Sequence, residues 1–156
     1  MSRTKLTDDE VTIATHMHQA GYETAAIGKT HYYHPRTHEF DTCVDLPDYR
    51  EWLRAKGRQP LPSGVKVLGS WNPFRNPVDV WLNAAGLPQG LVDSDMSGTF
   101  LANKTGDFLC SKHQRPFFLF VSFYEAHAPY HFPIEFCDRC DSENVAVPAV
   151  NPEDSA

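Results

Sequence analysis

The sequence predicts an α/β fold: a partial, doubly wound, mainly parallel sheet that is flanked by helices and incomplete. The main reason is residues 117–123 (FFLFVSF), a run too short to span a membrane and too uniformly apolar for a half-exposed strand. Such a run is typical of a strand buried on both faces of a parallel sheet. A second short strand is predicted over residues 22–27, before Gly28, and helical segments precede and separate the two strands.

Apolar periodicity and terminal signals locate the helices. Thr7 and Glu10 have the spacing of a capping box, which predicts a first helix that ends at Gly21. Residues 29–47 hold three histidines without any periodicity, which indicates a functional loop. Three further helices are predicted over residues 47–56, 78–85 and 97–111, with an irregular segment over residues 57–77.

Length, composition and charge exclude several classes of protein. With 156 residues, of which 41% are hydrophobic, the chain is expected to form one globular domain over residues 1–156. Its net charge of −6 argues against a nucleic-acid partner, because phosphate backbones are bound by concentrated Lys and Arg. No stretch is apolar for long enough to cross a bilayer, and the N-terminal residues lack a secretory signal. We therefore expect no membrane partner and, by default, a cytoplasmic location.

Polar side chains follow each predicted strand at the point where the strand ends. Lys29 and His31 come after the first strand, and His127 comes after the second. Parallel strands present their ligands at the carboxyl edge of the sheet, so these three side chains are expected to converge on one crevice. A lysine and two histidines suit an anion, because they donate hydrogen bonds to oxyanions and histidine also transfers protons near neutral pH.

Three stretches of sequence carry a family resemblance. Residues 20–31 (AGYETAAIGKTH) resemble the sulfatase pattern A-G-Y-x-T-x-x-x-G-K-W-H, and residues 38–41 (HEFD) resemble the H-G-F-D that commonly follows. Residues 115–130 (RPFFLFVSFYEAHAPY) resemble the later sulfatase pattern K-P-F-F-L-F-V-S-F-x-x-P-H-x-P-Y. The chain is thus similar to an internal part of the sulfatase catalytic domain, which has an alkaline-phosphatase-like fold. It departs from the family patterns at Thr30, Glu39 and Ala126.

The resemblance implies hydrolysis of sulfate esters and a role for each candidate residue. Lys29 and His31 match the residues that contact the sulfate and the nucleophile in this family. His127 matches the histidine that contacts the sulfate and the leaving-group oxygen. The implied binding partner is a sulfated small molecule or glycan, and the implied metal is calcium. The family nucleophile is a formylglycine made from a Cys or Ser in the pattern C/S-x-P-x-R.

Neither the nucleophile nor the calcium ligands of the family are found in this sequence. None of the four cysteines is followed by x-P-x-R, and the family's acidic metal-binding segments have no counterpart. The nearest counterpart of a metal-binding carboxylate pair, Asp93 and Asp95, lies in a loop unlike the metal-binding segments of the family. We therefore expect a partial sulfatase-like domain, inactive alone, with the remainder of the domain as a further partner.

Other interpretations stay open on the sequence. A phosphate or phosphonate monoester hydrolase shares the G-K-x-H region, and a catalytically silent anion-binding or interaction module is a third reading. Lys29 without its motif would be read as an ordinary surface lysine. The lone C-x-x-C at Cys137 and Cys140 has no second pair of ligands, so free thiols are expected there.

Overall fold

Three parallel strands form one sheet in the order β2-β1-β3. The structure is a computed structural model that describes residues 10–30, 39–63, 90–127, 132–136, 139, 144 and 146. In it, β1 is Glu23–Gly28, β2 is Thr42–Val44 and β3 is Phe117–Ser122. The predicted parallel α/β arrangement is therefore confirmed. β2 was not predicted, because it has only three residues and two of them are exposed.

The first helix, α1, covers Ile13–Gln19 and begins later than the capping box predicts. Its N-cap is Thr12, whose hydroxyl accepts a hydrogen bond from the backbone amide of Thr15 and contacts the carboxylate of Glu39. Glu10 lies before the helix, so the predicted start at the capping box is wrong; Thr7 itself lies outside the described residues. Glu39, 27 positions from Thr12 in sequence, helps to determine where the helix starts. The residues around Thr12 alone do not reveal this contact.

The next two helices agree with the predictions. Helix α2 covers Leu46–Lys56 after the capping-box residue Asp45 and ends at Gly57, whose φ of 76° lies in the left-handed region. Helix α3 covers Ser97–Cys110. Residues 57–63 are irregular as expected, whereas the predicted helix over residues 78–85 lies outside the described part. None of the described helices is long and apolar enough to cross a membrane.

Helices cover both faces of the central strand. On one face, Ile27 packs with Tyr49 of α2 and with Phe100 and Leu101 of α3. On the other face, Ala26 packs with Ala14 of α1 and with Phe40. All three alanine and isoleucine side chains of β1 are at most 1% exposed. The core is therefore centred on β1, and this fixes where its carboxyl end emerges.

Strand β3 is less buried than predicted. Phe117 and Phe120 are 39% and 41% exposed, so the expectation of a strand buried on both faces is wrong. Within the described part of the chain β3 pairs with β1 alone, and the helices are centred on β1. A uniformly apolar run predicts the strand, but it does not reveal how much of each face of that strand the helices cover.

His113 fastens the amino end of β1 to the end of α3. Its Nδ1 lies 2.9 Å from a carboxylate oxygen of Glu23, and its Nε2 lies 2.8 Å from the carbonyl oxygen of Phe108. The Ser111 hydroxyl is 3.2 Å from Nε2, and the rings of Phe108 and Phe117 pack against the imidazole. Only the protonated ring donates hydrogen bonds from both nitrogens. The hydrogen bond to Glu23 therefore raises the pKa of His113, against an opposing effect of burial.

We expect the free energy of unfolding to include a contribution from His113 that is largest in acid. Because the folded-state pKa of His113 is raised, that contribution is fully present below the ordinary value of 6.5 and is lost as pH rises through the folded pKa. Urea unfolding at about pH 5.5 and about pH 9 should show a larger difference between wild type and His113→Gln at the lower pH. Glu23→Gln should remove this pH dependence. An equal difference at both pH values would contradict it.

Candidate active site

The backbone at the end of β1 approaches β3 very closely. Gly28 pairs with Ser122 and has a φ of 104°, in the region that favours glycine. A Cβ at this position would lie 1.9 Å from the carbonyl oxygen of Ser122. That same oxygen accepts a hydrogen bond of 2.8 Å from the backbone amide of Lys29. Glycine is therefore required at position 28, and it sets where Lys29 leaves the sheet.

The side chain of Tyr124 links the carboxyl ends of all three strands. Tyr124 follows β3, and its hydroxyl donates a hydrogen bond to the carboxylate of Asp45, which follows β2. Its ring faces the ammonium group of Lys29, after β1, with 5.6 Å from Nζ to the ring centroid. Burial and the bonded, charged carboxylate of Asp45 raise the pKa of Tyr124. The phenol thus stays protonated near neutral pH and keeps donating to Asp45.

Lys29 is half-buried and forms no ion pair with the carboxylates of the described residues. The nearby carboxylate of Asp45 is already engaged by the Tyr124 hydroxyl and by the first amides of α2. The ring of Tyr124 offers an attractive surface to the ammonium without neutralising it. Because no described carboxylate pairs with the Lys29 ammonium, its N–H donors can bind an anion at the carboxyl edge.

His127 lies in a turn that is anchored to the rest of the fold. Its backbone amide donates to the carbonyl of Tyr124 at 3.0 Å. Between them, the Glu125 carboxylate accepts hydrogen bonds from the Ser97 hydroxyl (2.7 Å) and the Gly98 amide (3.1 Å) at the start of α3. A carboxylate is favoured at a helix N-terminus, so α3 holds this turn in place. The turn carries His127 on the same edge of the sheet as Lys29.

Two of the three predicted site residues lie in the described part of the chain. Lys29 and His127 follow neighbouring parallel strands at the same edge, and each contacts Tyr124. His31 lies outside the described residues, as do His34 and His38. The convergence of all three side chains on one crevice stays a prediction. Sequence reasoning missed Tyr124 and Asp45, although their positions directly after strands are a usable signal.

The acidic residues that the structure describes do not form a calcium site. Asp95 is fully buried, and its carboxylate is taken up by the Lys56 ammonium (2.6 Å) and the Gln59 amide (2.5 Å). The nearby Asp93 carboxylate accepts from the Thr99 hydroxyl, on the exposed surface. Among the described residues no cluster of three or more acidic, histidine or cysteine side chains could hold a metal. Calcium binds six or more oxygen ligands, which the described acidic side chains do not supply.

The comparison with protein families decides the assignment. The family model described as Sulfatase matches residues 1–147. The chain belongs to the sulfatase family. Neither a curated protein nor a solved structure matches it. Family membership agrees with the observed parallel α/β sheet. Lys29 and His127 belong to the two longer sulfatase-like stretches, and both follow strands at the carboxyl edge of the sheet.

Phe40 and Asp41, the described F-D part of the sulfatase-like H-x-F-D stretch, have structural roles. Phe40 is 6% exposed and stacks on Phe118, at 6.4 Å between ring centroids. The Asp41 carboxylate accepts a hydrogen bond of 2.9 Å from the backbone amide of Thr24, which lowers the pKa of Asp41. His18 and Arg115 also pair with Asp41. Because Thr24 is near the amino end of β1, Asp41 lies away from the edge that carries Lys29.

Proposed function

We propose that the carboxyl edge of the sheet binds a sulfate ester through Lys29, His31 and His127, and that this chain alone does not hydrolyse the ester. The observation that carries the proposal is the ammonium of Lys29, which pairs with no described carboxylate and lies at the same edge of the sheet as the turn of His127, in a chain of the sulfatase family. A sulfate ester is a monoanion with three non-bridging oxygens. Cationic donors bind such oxygens most strongly where water is partly excluded.

Each candidate residue has a distinct task in this proposal. The ammonium of Lys29 donates to non-bridging oxygens, and Tyr124 restricts the directions in which that ammonium can point. His127 serves the leaving-group oxygen, because an imidazole can supply a proton near neutral pH. His31 is assigned to the sulfate by its position in the family motif alone. Together these groups bind and orient an ester but do not cleave it.

The covalent part of the reaction has no residues in this chain to perform it. No cysteine or serine stands in the formylglycine pattern, so the family's nucleophile cannot form here. The described acidic side chains do not fit a metal that would polarise the ester. Hydrogen-bond donors that act by charge and position replace neither the nucleophile nor the metal that polarises the ester.

The binding half of the proposal is tested by titrating sulfate into isotope-labelled protein. We expect NMR shifts at Lys29 and His127 at millimolar sulfate. Lys29→Gln should weaken this binding by about tenfold or more, since it removes a charged donor. Lys112→Gln is the matched control: it removes an exposed positive charge elsewhere and should leave the titration unchanged. Shifts at neither Lys29 nor His127 would contradict an anion site at this edge.

The catalytic half is tested with an aryl sulfate, which releases a coloured alcohol on hydrolysis. We expect no steady release by the purified chain. Continuous release that resists EDTA and disappears in His127→Ala would contradict the proposal. Phenylphosphonate titrated in parallel tests the related alternative, because tighter binding of the phosphonate than of sulfate would favour a phosphonate hydrolase relative.

A further inference from the structure

A second positively charged feature lies on α2. An open cavity of about 460 Å³ is lined by Arg50, Leu53, Arg54, Gly57 and Arg58, and we call it the arginine groove. Its three arginines are spaced four residues apart. Side chains at that spacing share one face of a helix and follow each other at about 6 Å along its axis.

The third arginine is held in place although it lies beyond the helix. The φ of 76° at Gly57 ends α2 and turns the chain, so that Arg58 still lines the groove. On either side of Arg58, the buried Asp95 carboxylate binds Lys56 at 2.6 Å and the Gln59 amide at 2.5 Å. The fully buried Asp95 therefore holds the Lys56 side chain before Arg58 and the Gln59 backbone amide after it.

The arginines form no close ion pair within the described part of the chain, although the buried carboxylate of Asp95 attracts Arg58 electrostatically. No described carboxylate forms an ion pair with Arg50, Arg54 or Arg58. Of the two acidic residues within α2, Asp48 is occupied by the capping box at Asp45. The exposed Glu51 lies three residues before Arg54 but forms no ion pair with a described arginine. Three neighbouring positive charges repel one another, and a bound anion would relieve this repulsion. This patch exists in a protein whose net charge is −6, so the positive charge is local.

We propose that the arginine groove is a separate binding site for a small polyanion that carries two or more phosphate or sulfate groups. Guanidinium groups bind such oxyanions through paired hydrogen bonds, and the spacing of about 6 Å along α2 suits linked anionic groups better than a single one. Leu53 and Gly57 complete the lining of the groove and carry no charge. The groove is lined by other residues than those proposed for the sulfate ester, although the charge of Arg50 acts on Tyr124, and the proposal does not depend on sulfate binding at Lys29.

The groove is tested with inorganic tripolyphosphate, followed through the side-chain Nε–Hε resonances of its three arginines. We expect tripolyphosphate to bind at least tenfold more tightly than inorganic sulfate, because several charges engage at once. Arg54→Gln should weaken tripolyphosphate binding by about tenfold, and Arg54→Lys by less, since lysine keeps the charge but not the paired donors. A disulfated disaccharide distinguishes sulfate from phosphate as the preferred source of charge.

Matched variants separate this site from the one at the sheet edge. Lys112→Gln and Lys29→Gln should leave tripolyphosphate binding unchanged, whereas Lys29→Gln weakens only the sulfate response at His127. Thermal unfolding should show that Arg54→Gln is folded, as expected for a change at an exposed side chain. Equal affinity of wild type and Arg54→Gln for tripolyphosphate overturns the proposal. A single-stranded oligonucleotide that binds the groove tenfold more tightly than tripolyphosphate also overturns it, since a nucleic acid would then be the ligand.

Discussion

Replacing Gly28 by alanine should lower the free energy of unfolding by more than about 3 kcal/mol and remove sulfate binding at the sheet edge. The added Cβ would lie 1.9 Å from the Ser122 carbonyl oxygen and 2.9 Å from its carbonyl carbon. Both are backbone atoms of the paired strand, so no side-chain rotation relieves the clash. The strands must separate, and Lys29 moves because its amide is bonded to the same oxygen at 2.8 Å.

Two other glycines provide matched controls for this substitution. Gly21 has a φ of 87° but open space around it, so Gly21→Ala isolates the cost of the backbone conformation, about 1 kcal/mol. Gly106 lies within α3 with nothing near its missing Cβ, so Gly106→Ala should be neutral or stabilise by up to about 1 kcal/mol. Urea unfolding of the three variants measures each effect. A Gly28→Ala variant as stable as Gly21→Ala would show that β1 and β3 are not so closely paired.

The sequence predicts those parts of the fold whose signals are local. The sequence predicts β1, α2 and α3 nearly to the residue: Gly28 and Gly57 mark the ends of β1 and α2, and apolar periodicity locates α3. The start of α1 was misplaced because a distant glutamate, Glu39, contributes to its cap. Strand β2 was missed because three residues give no periodicity to detect.

The same distinction applies to the candidate site. Lys29 and His127 were found because each belongs to a motif that is contiguous in sequence. The contact between Tyr124 and Asp45 joins residues 79 positions apart, and it could not be read from either segment. Contacts of this kind arise from the pairing of β1 with both other strands. Motifs therefore name the groups that meet a ligand, whereas the fold reveals the groups that position them.

Asp95→Ala should lower the free energy of unfolding by about 2–4 kcal/mol, because it removes contacts with Lys56 and Gln59 that no sequence motif predicts. Asp95 is fully buried and binds Lys56, whose side chain is 29% exposed, at 2.6 Å. Truncation leaves the Gln59 amide without its acceptor, while Lys56 recovers part of its hydration because it reaches the surface. It also releases the segment that holds Arg58, so tripolyphosphate binding in the arginine groove should weaken in the same variant.

The acid dependence and a double substitution identify the cause of this loss. Burial alone would raise the pKa of Asp95, but the hydrogen bonds from Lys56 and Gln59 and the charges of Lys56 and Arg58 lower it. The stabilisation is therefore present above the ordinary value of 3.8 and is lost as pH falls through the folded pKa.

Asp93→Asn changes an exposed carboxylate in the same turn and should cost no more than about 0.5 kcal/mol. Combining Asp95→Ala with Lys56→Met should cost less than the sum of the single changes, because each already breaks the pair. Additive losses would place the stabilisation outside the contact between Asp95 and Lys56.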